Sequence, residues 1–115
     1  MRRGEIRLVD LDPARGAEAS KPRPAVIVSN DGANSTAQRL GRGVVTVVPV
    51  TSNTARVFPF QVLLAADETG LTRESKAQAE QIRSVSVERL GRRVGTLPAT
   101  VLADLDEAIR LHLAL

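Results

Sequence analysis

The chain contains no cysteine, no tryptophan and no tyrosine, one histidine, His112, and two aromatic rings of another kind, Phe58 and Phe60. Each absence removes a class of chemistry. Without cysteine there is neither a disulfide framework nor a thiolate metal site. With one histidine, neither an H-E-x-x-H zinc site nor a nuclease using two histidines as acid and base can be assembled. No metal and no cofactor is therefore expected. So few rings cannot make the usual stacking platform for single-stranded nucleic acid, so any RNA recognition has to rest on hydrogen bonds, arginine planes and phosphate contacts. No stretch approaches the roughly 18 apolar residues of a membrane span. Gly4, Glu5 and Arg7 interrupt any signal-peptide core behind Met1-Arg2-Arg3. A cytoplasmic protein without a membrane partner is expected. The glycines match neither the P-loop nor the dinucleotide fingerprint.

What is present fits one domain, residues 1–115, with 43% hydrophobic and 25% charged residues. The net charge of +3 is unevenly spread. Residues 1–56 carry nine basic against five acidic side chains, and residues 57–115 carry seven against eight. Fourteen of the sixteen basic residues are arginine, whose planar fork of donors suits phosphate. A basic N-terminal half points to a polyanion, although a GC-rich genome would produce the same arginine bias.

Alternation over Gly4–Asp10 predicts a half-buried strand, ended by Leu11-Asp12-Pro13. Asp12–Pro24 reads as a loop of a length that is often functional. Ala25–Ser29 and Val44–Val50 are β-branched runs, so strands buried on both faces, with Pro49 marking an end or an edge. Ala33–Leu40 can form one or two helical turns. Val57–Leu64 reads as a strand interrupted by Pro59, Ala66–Thr72 as a turn, Ser75–Ser84 as one strand continuing to Val85, Ser86–Leu90 as a single turn, and Arg92–Thr96 as a short edge strand. Pro98–Leu115 is the clearest helix, with Pro98 at its first position and a stripe of Val101, Leu102, Leu105, Ala108, Ile109 and Leu113. His112 falls near that stripe and reads as a packing or rim residue. The class expected is α+β: a small curled antiparallel sheet or barrel closed by a C-terminal helix.

Three polar groups could carry chemistry. Glu18, Lys21 and Arg23 lie in the long loop, and Pro22 and Pro24 hold Arg23 with little backbone freedom. Thr51-Ser52-Asn53 follows the second central strand. Glu80-Gln81 with Arg83 forms the third group. Each has a plain alternative: loop charges with Arg23 paired to Asp10 or Asp12, a hydroxyl-rich turn capping its own backbone, and an exposed strand face. Arg23 opens one central strand and Thr51 closes another. If those strands are antiparallel neighbours, a cation and a hydroxyl share one rim, which makes a phosphate site.

The segments GEIRLVDLDPARGAE, KPRPAVIVSND, VVPVTSN and AEQIRSVSVERL, in this order and spacing, resemble the MazF/PemK family of toxin endoribonucleases over nearly the whole chain. The resemblance implies an SH3-like barrel with added helices, shared with CcdB and PemK. It also implies a homodimer, metal-independent cleavage of single-stranded RNA to 2′,3′-cyclic phosphate and 5′-hydroxyl ends, and a MazE-type antitoxin that blocks the site. The family's catalytic arginine and threonine fall on Arg23 and Thr51. Its G-S-E loop falls on Gly16-Ala17-Glu18, with alanine in place of serine. RNA contacts are expected from Gly16, Glu18, Lys21, Ser52, Asn53, Glu80 and Gln81. The alternative is a CcdB-like toxin that binds DNA gyrase and has no use for the Arg23/Thr51 pair.

Overall fold

The computed structural model describes residues 1–11 and 21–115. Its strands are β1 (Glu5–Val9), β2 (Arg23–Ile27), β3 (Val44–Thr51), β4 (Gln61–Leu64), β5 (Ser75–Gln78), β6 (Arg83–Ser86) and β7 (Leu90–Thr96), and its helices are α1 (Asp31–Leu40), α2 (Ala66–Thr69) and α3 (Ala99–Leu113). All pairings are antiparallel, in the order β4-β5-β3-β2-β1-β7, with β6 also paired to β3. The α+β class with a C-terminal helix is as expected. The curled antiparallel sheet is as expected too, and it is open: β4 and β7 end the order and do not pair among the described residues, so the sheet is not closed.

The continuous apolar runs of β2 and β3 follow from a core on each side of the sheet. Successive strand residues point to opposite faces. Ile6, Val26, Val48 and Val50 enter one core with Leu105 and Ala108 of α3. Val9, Ala25, Ile27, Val45 and Val47 enter the other with Ala37 of α1. Helix α1 starts two residues before the expected turn, because Asn30 caps it by accepting from the Ala33 amide at 2.8 Å. Buried Asn34 ties it to the sheet through the Ser29 carbonyl at 2.8 Å.

The expected single strand over Ser75–Ser84 is broken by a 3₁₀ turn, Ala79–Gln81. The cause is topological. β5 pairs with the C-terminal end of β3 at Val50 and Thr51, and β6 with its N-terminal half at Val44–Val47. The chain must step along β3 between the two ladders. β4 begins only at Gln61, after Pro59; Gln61 accepts from the Phe58 amide through its side chain at 3.1 Å. The expected edge strand is two residues longer, Leu90–Thr96, and pairs with β1. Gly70, at φ +87°, and Gly95 bring the end of α2 against β7. A Cβ on Gly95 would lie 1.7 Å from the Thr69 carbonyl oxygen. This contact fixes the segment after Gly70 against the sheet.

Pro98 caps α3 and does not occupy its first turn. The apolar stripe ends a turn early, since Leu113 is exposed. Asp106, on α3, meets Arg3 at 2.5 Å. His112 is exposed beside the Phe60 ring, with centroids 6.4 Å apart. No helix among the described residues is long and apolar enough to cross a membrane.

Candidate active site

β2 and β3 are the antiparallel neighbours that the rim argument requires. Their register pairs Ile27 with Val47, Val26 with Val48 and Ala25 with Pro49. Continued by two residues it sets Arg23 against Thr51, the first residue of β2 and the last of β3. The ladder stops short of them for a local reason: Pro24 and Pro49 have no amide donor. The strand ends are therefore freed from each other where Arg23 and Thr51 sit. A cleft of about 380 Å³ occupies that rim, lined by Arg23, Pro24, Val50, Thr51, Ser52, Leu71, Thr72, Arg73 and Ser75. That size lies in the range of small-ligand sites.

Within it, Thr51 is half-buried and Arg23 is exposed. The Thr51 hydroxyl oxygen accepts from the Asn53 amide at 3.2 Å, and the Asn53 side chain accepts from the Ala55 amide at 3.3 Å. The loop after β3 is thus built on side-chain acceptors. The Thr51 hydroxyl donates to no acceptor among the described residues, which leaves its proton for an anionic oxygen. Arg23 takes part in no ion pair among the described residues, so its alternative role as a partner of Asp10 is not realised. Asp12 lies outside the described residues. Two cations, Arg23 and Arg73, and hydroxyls of Thr51, Ser52, Thr72 and Ser75 converge on one cleft without a carboxylate among its lining residues. Chemically this is an anion site, and phosphate is the anion that arginine forks suit. No group of His and acidic side chains among the described residues could hold a metal ion.

The remaining expected residues separate. Lys21 is exposed just before β2, and Ser52 and Asn53 lie exposed at the cleft loop. Gly16 and Glu18 lie outside the described residues. Glu80 and Gln81 sit on the 3₁₀ turn and do not line the cleft. Glu80 accepts from the Gln61 side chain at 2.6 Å, which ties that turn to β4. Arg73 was not singled out from sequence: an arginine in a polar turn carries no signal until the Gly70–Gly95 contact places it.

Comparison with known proteins gives a consistent picture. The family model described as PemK-like, MazF-like toxin of type II toxin-antitoxin system matches residues 2–113. Endoribonuclease MazF9 of Mycobacterium tuberculosis is 69% identical over 115 residues, which cover 100% of this chain and 98% of that protein. Among solved structures, the Mycobacterium tuberculosis toxin MazF-mt6 superposes with a TM-score of 0.77 at 28% identity, covering 96% of this chain and 97% of that one. An endoribonuclease in complex with its cognate antitoxin, from a mycobacterial species, shares the fold at a TM-score of 0.78 and 23% identity, covering 100% of this chain and 96% of that one.

Proposed function

The chain belongs to the PemK-like, MazF-like family of type II toxins, and from that premise we propose that it is an endoribonuclease toxin whose cleaving site is the Arg23/Thr51 rim. The observation that carries this is the joint presence on one cleft of two residues that lie 28 positions apart in the chain, one opening β2 and the other closing β3. The CcdB-like alternative loses its support, since the relative with 69% identity is an endoribonuclease.

In the reaction, a ribose 2′-oxygen attacks its own 3′-phosphorus. The O2′–P bond forms, the P–O5′ bond breaks, the 2′-hydroxyl loses its proton and the departing 5′-oxygen gains one. The products are a 2′,3′-cyclic phosphate and a 5′-hydroxyl. The Arg23 guanidinium neutralises the charge that builds on the phosphoryl oxygens and supplies the proton to the 5′-oxygen. Thr51 donates its hydroxyl proton to a phosphoryl oxygen, held for that by the Asn53 amide. Glu18 is the sequence candidate for accepting the proton from the 2′-hydroxyl. Preorganised donors of this kind supply several kcal/mol each. Lys21, Ser52, Asn53 and Arg73 contact flanking nucleotides, with Gly16, Glu80 and Gln81 as further candidates named from sequence. The protein acts in the cytoplasm as a homodimer, and an antitoxin of the MazE type neutralises it by covering the cleft.

The test is cleavage of a long single-stranded RNA in EDTA, followed by sequencing of the 5′-hydroxyl ends. Cleavage by the wild type with loss in both Arg23→Ala and Thr51→Ala is expected. Full activity in Arg23→Ala overturns the scheme.

A further inference from the structure

Lys76 is a charged side chain that the cleavage scheme does not use. It lies on β5, directly opposite Thr51 in the ladder with β3. Directly opposed residues of an antiparallel pair leave the sheet on the same face, with Cβ atoms about 4.5–5.5 Å apart. Arg23 takes the corresponding place on the other side of Thr51, on β2. In the backbone register, continued by two residues on the β2 side, Thr51 thus stands between Lys76 and Arg23, and Lys76 itself does not line the cleft. Lys76 is only 8% exposed, and its Nζ donates a 2.6 Å hydrogen bond to the Arg56 carbonyl. No carboxylate among the described residues lies within ion-pair distance of it.

Every local rule disfavours lysine at this place. Strands are depleted in lysine. A buried ammonium with no acid beside it gives up hydration without compensation, and an apolar side chain of similar volume is commonly neutral or stabilising. Its hydrogen-bond partner is the main chain of the loop that follows Thr51. That loop starts with the Thr51 hydroxyl accepting from Asn53, continues with Asn53 accepting from Ala55, and is pinned by Lys76 one residue later. The lysine fixes the far end of the same chain of contacts that orients the hydroxyl.

We infer that Lys76 is a positioning residue for RNA cleavage. It holds the 52–56 loop, and through it the Thr51 hydroxyl, in the donating arrangement. Its charge, unopposed by any described carboxylate, also favours the negative charge that develops on the phosphoryl oxygens. This rests on the reading of Arg23 and Thr51 as the cleaving pair.

The experiment compares steady-state cleavage of one RNA oligonucleotide by the wild type, Thr51→Ala, and Lys76→Met, Lys76→Gln and Lys76→Arg, alongside thermal unfolding of each. Lys76→Met keeps the stem and removes charge and donors. Its kcat should fall about tenfold to a hundredfold with KM little changed, while its unfolding midpoint stays at or above the wild-type value. Lys76→Arg keeps charge and donors and should recover to within a few-fold. Lys76→Gln keeps a donor without charge and should fall between them. The inference is overturned if Lys76→Met cleaves within twofold of the wild type, if the Met and Arg variants are equally slow, or if lost activity follows lost folded protein in all three. An active Lys76→Met beside an inactive Thr51→Ala removes this inference alone. An inactive wild type or an active Thr51→Ala removes the underlying reading with it.

Discussion

Two clusters of cations lie in this small protein, and they are treated in opposite ways. In the N-terminal cluster every arginine has a carboxylate: Arg2 faces Asp31 at 3.8 Å, Arg3 meets Asp106 at 2.5 Å, and Arg7 meets Glu5 at 3.1 Å. Arg3 also donates to the Val28 carbonyl at 2.8 Å, which joins the N-terminal segment, the end of β2 and α3. At the opposite end of β2, Arg23, Arg73 and Lys76 have no carboxylate partner among the described residues. The first cluster is neutralised and holds elements together. The second keeps its positive potential for something that arrives from outside. Net charge treats the two alike, so the basic N-terminal half of the sequence overstates the surface available to a polyanion.

The contrast can be broken in four places. The largest effect belongs to the second cluster: Arg23→Ala or Thr51→Ala should lower kcat by about 10²–10³-fold or more, with the unfolding midpoint near that of the wild type. A large loss of stability in either variant would mean that these residues are also structural. Next, Arg3→Ala should remove an ion pair and a hydrogen bond whose groups are about a third exposed. It should cost about 1–2 kcal/mol of stability by urea unfolding, and the folded fraction should cleave RNA at the normal rate. A cleavage defect there would erase the distinction between the clusters. Smaller is Arg73→Ala, where KM should rise a few-fold and the slope of log affinity against log salt should fall by about one. An unchanged slope would remove Arg73 from the phosphate-binding set.

The smallest effect is a pH dependence at the first cluster. The Arg3 amide, 2.6 Å from the Asp31 carboxylate, together with the charges of Arg2 and Arg3, holds the Asp31 pKa below its usual 3.8. A folded-state pKa below the unfolded one gives stability that is present above about pH 4 and lost as pH falls through the folded value. Asp31→Asn should flatten the stability profile below pH 4. It should also slightly lower stability at neutral pH, because the side-chain carboxylate that accepts from Arg3 is gone.

How much of this could be read from residues alone depends on whether the cause was local. β1, the interiors of β2 and β3, and α3 were legible, because alternation, β-branched runs and helical spacing are local patterns. So was the meeting of Arg23 and Thr51, because it follows from one assumption, that β2 and β3 are antiparallel neighbours, and their register satisfies it. The break in Ser75–Ser84 was not legible. It depends on β3 offering its edge first to β6 and then to β5, which no property of SKAQAEQIRS records. Lys76 and Arg73 were hidden for the same reason. One reads as the polar side of a strand and the other as a turn residue until pairing and the glycine contact locate them. Glu80 shows the reverse case: an acid beside an amide reads as part of a recognition surface, and the structure adds a bond from the Gln61 side chain to one of its carboxylate oxygens.

The pairing of β3 has one more consequence, for motion. Val47 faces Ile27 on one side and Arg83 on the other, so the middle of β3 is covered along both edges. Its amides can exchange with solvent only when the sheet as a whole opens, which makes this segment the expected site of slowest hydrogen exchange. Thr51 is the last residue of the same strand. The hydroxyl is thus carried at the end of the strand whose middle opens most slowly, and the contacts of the loop after it hold it there.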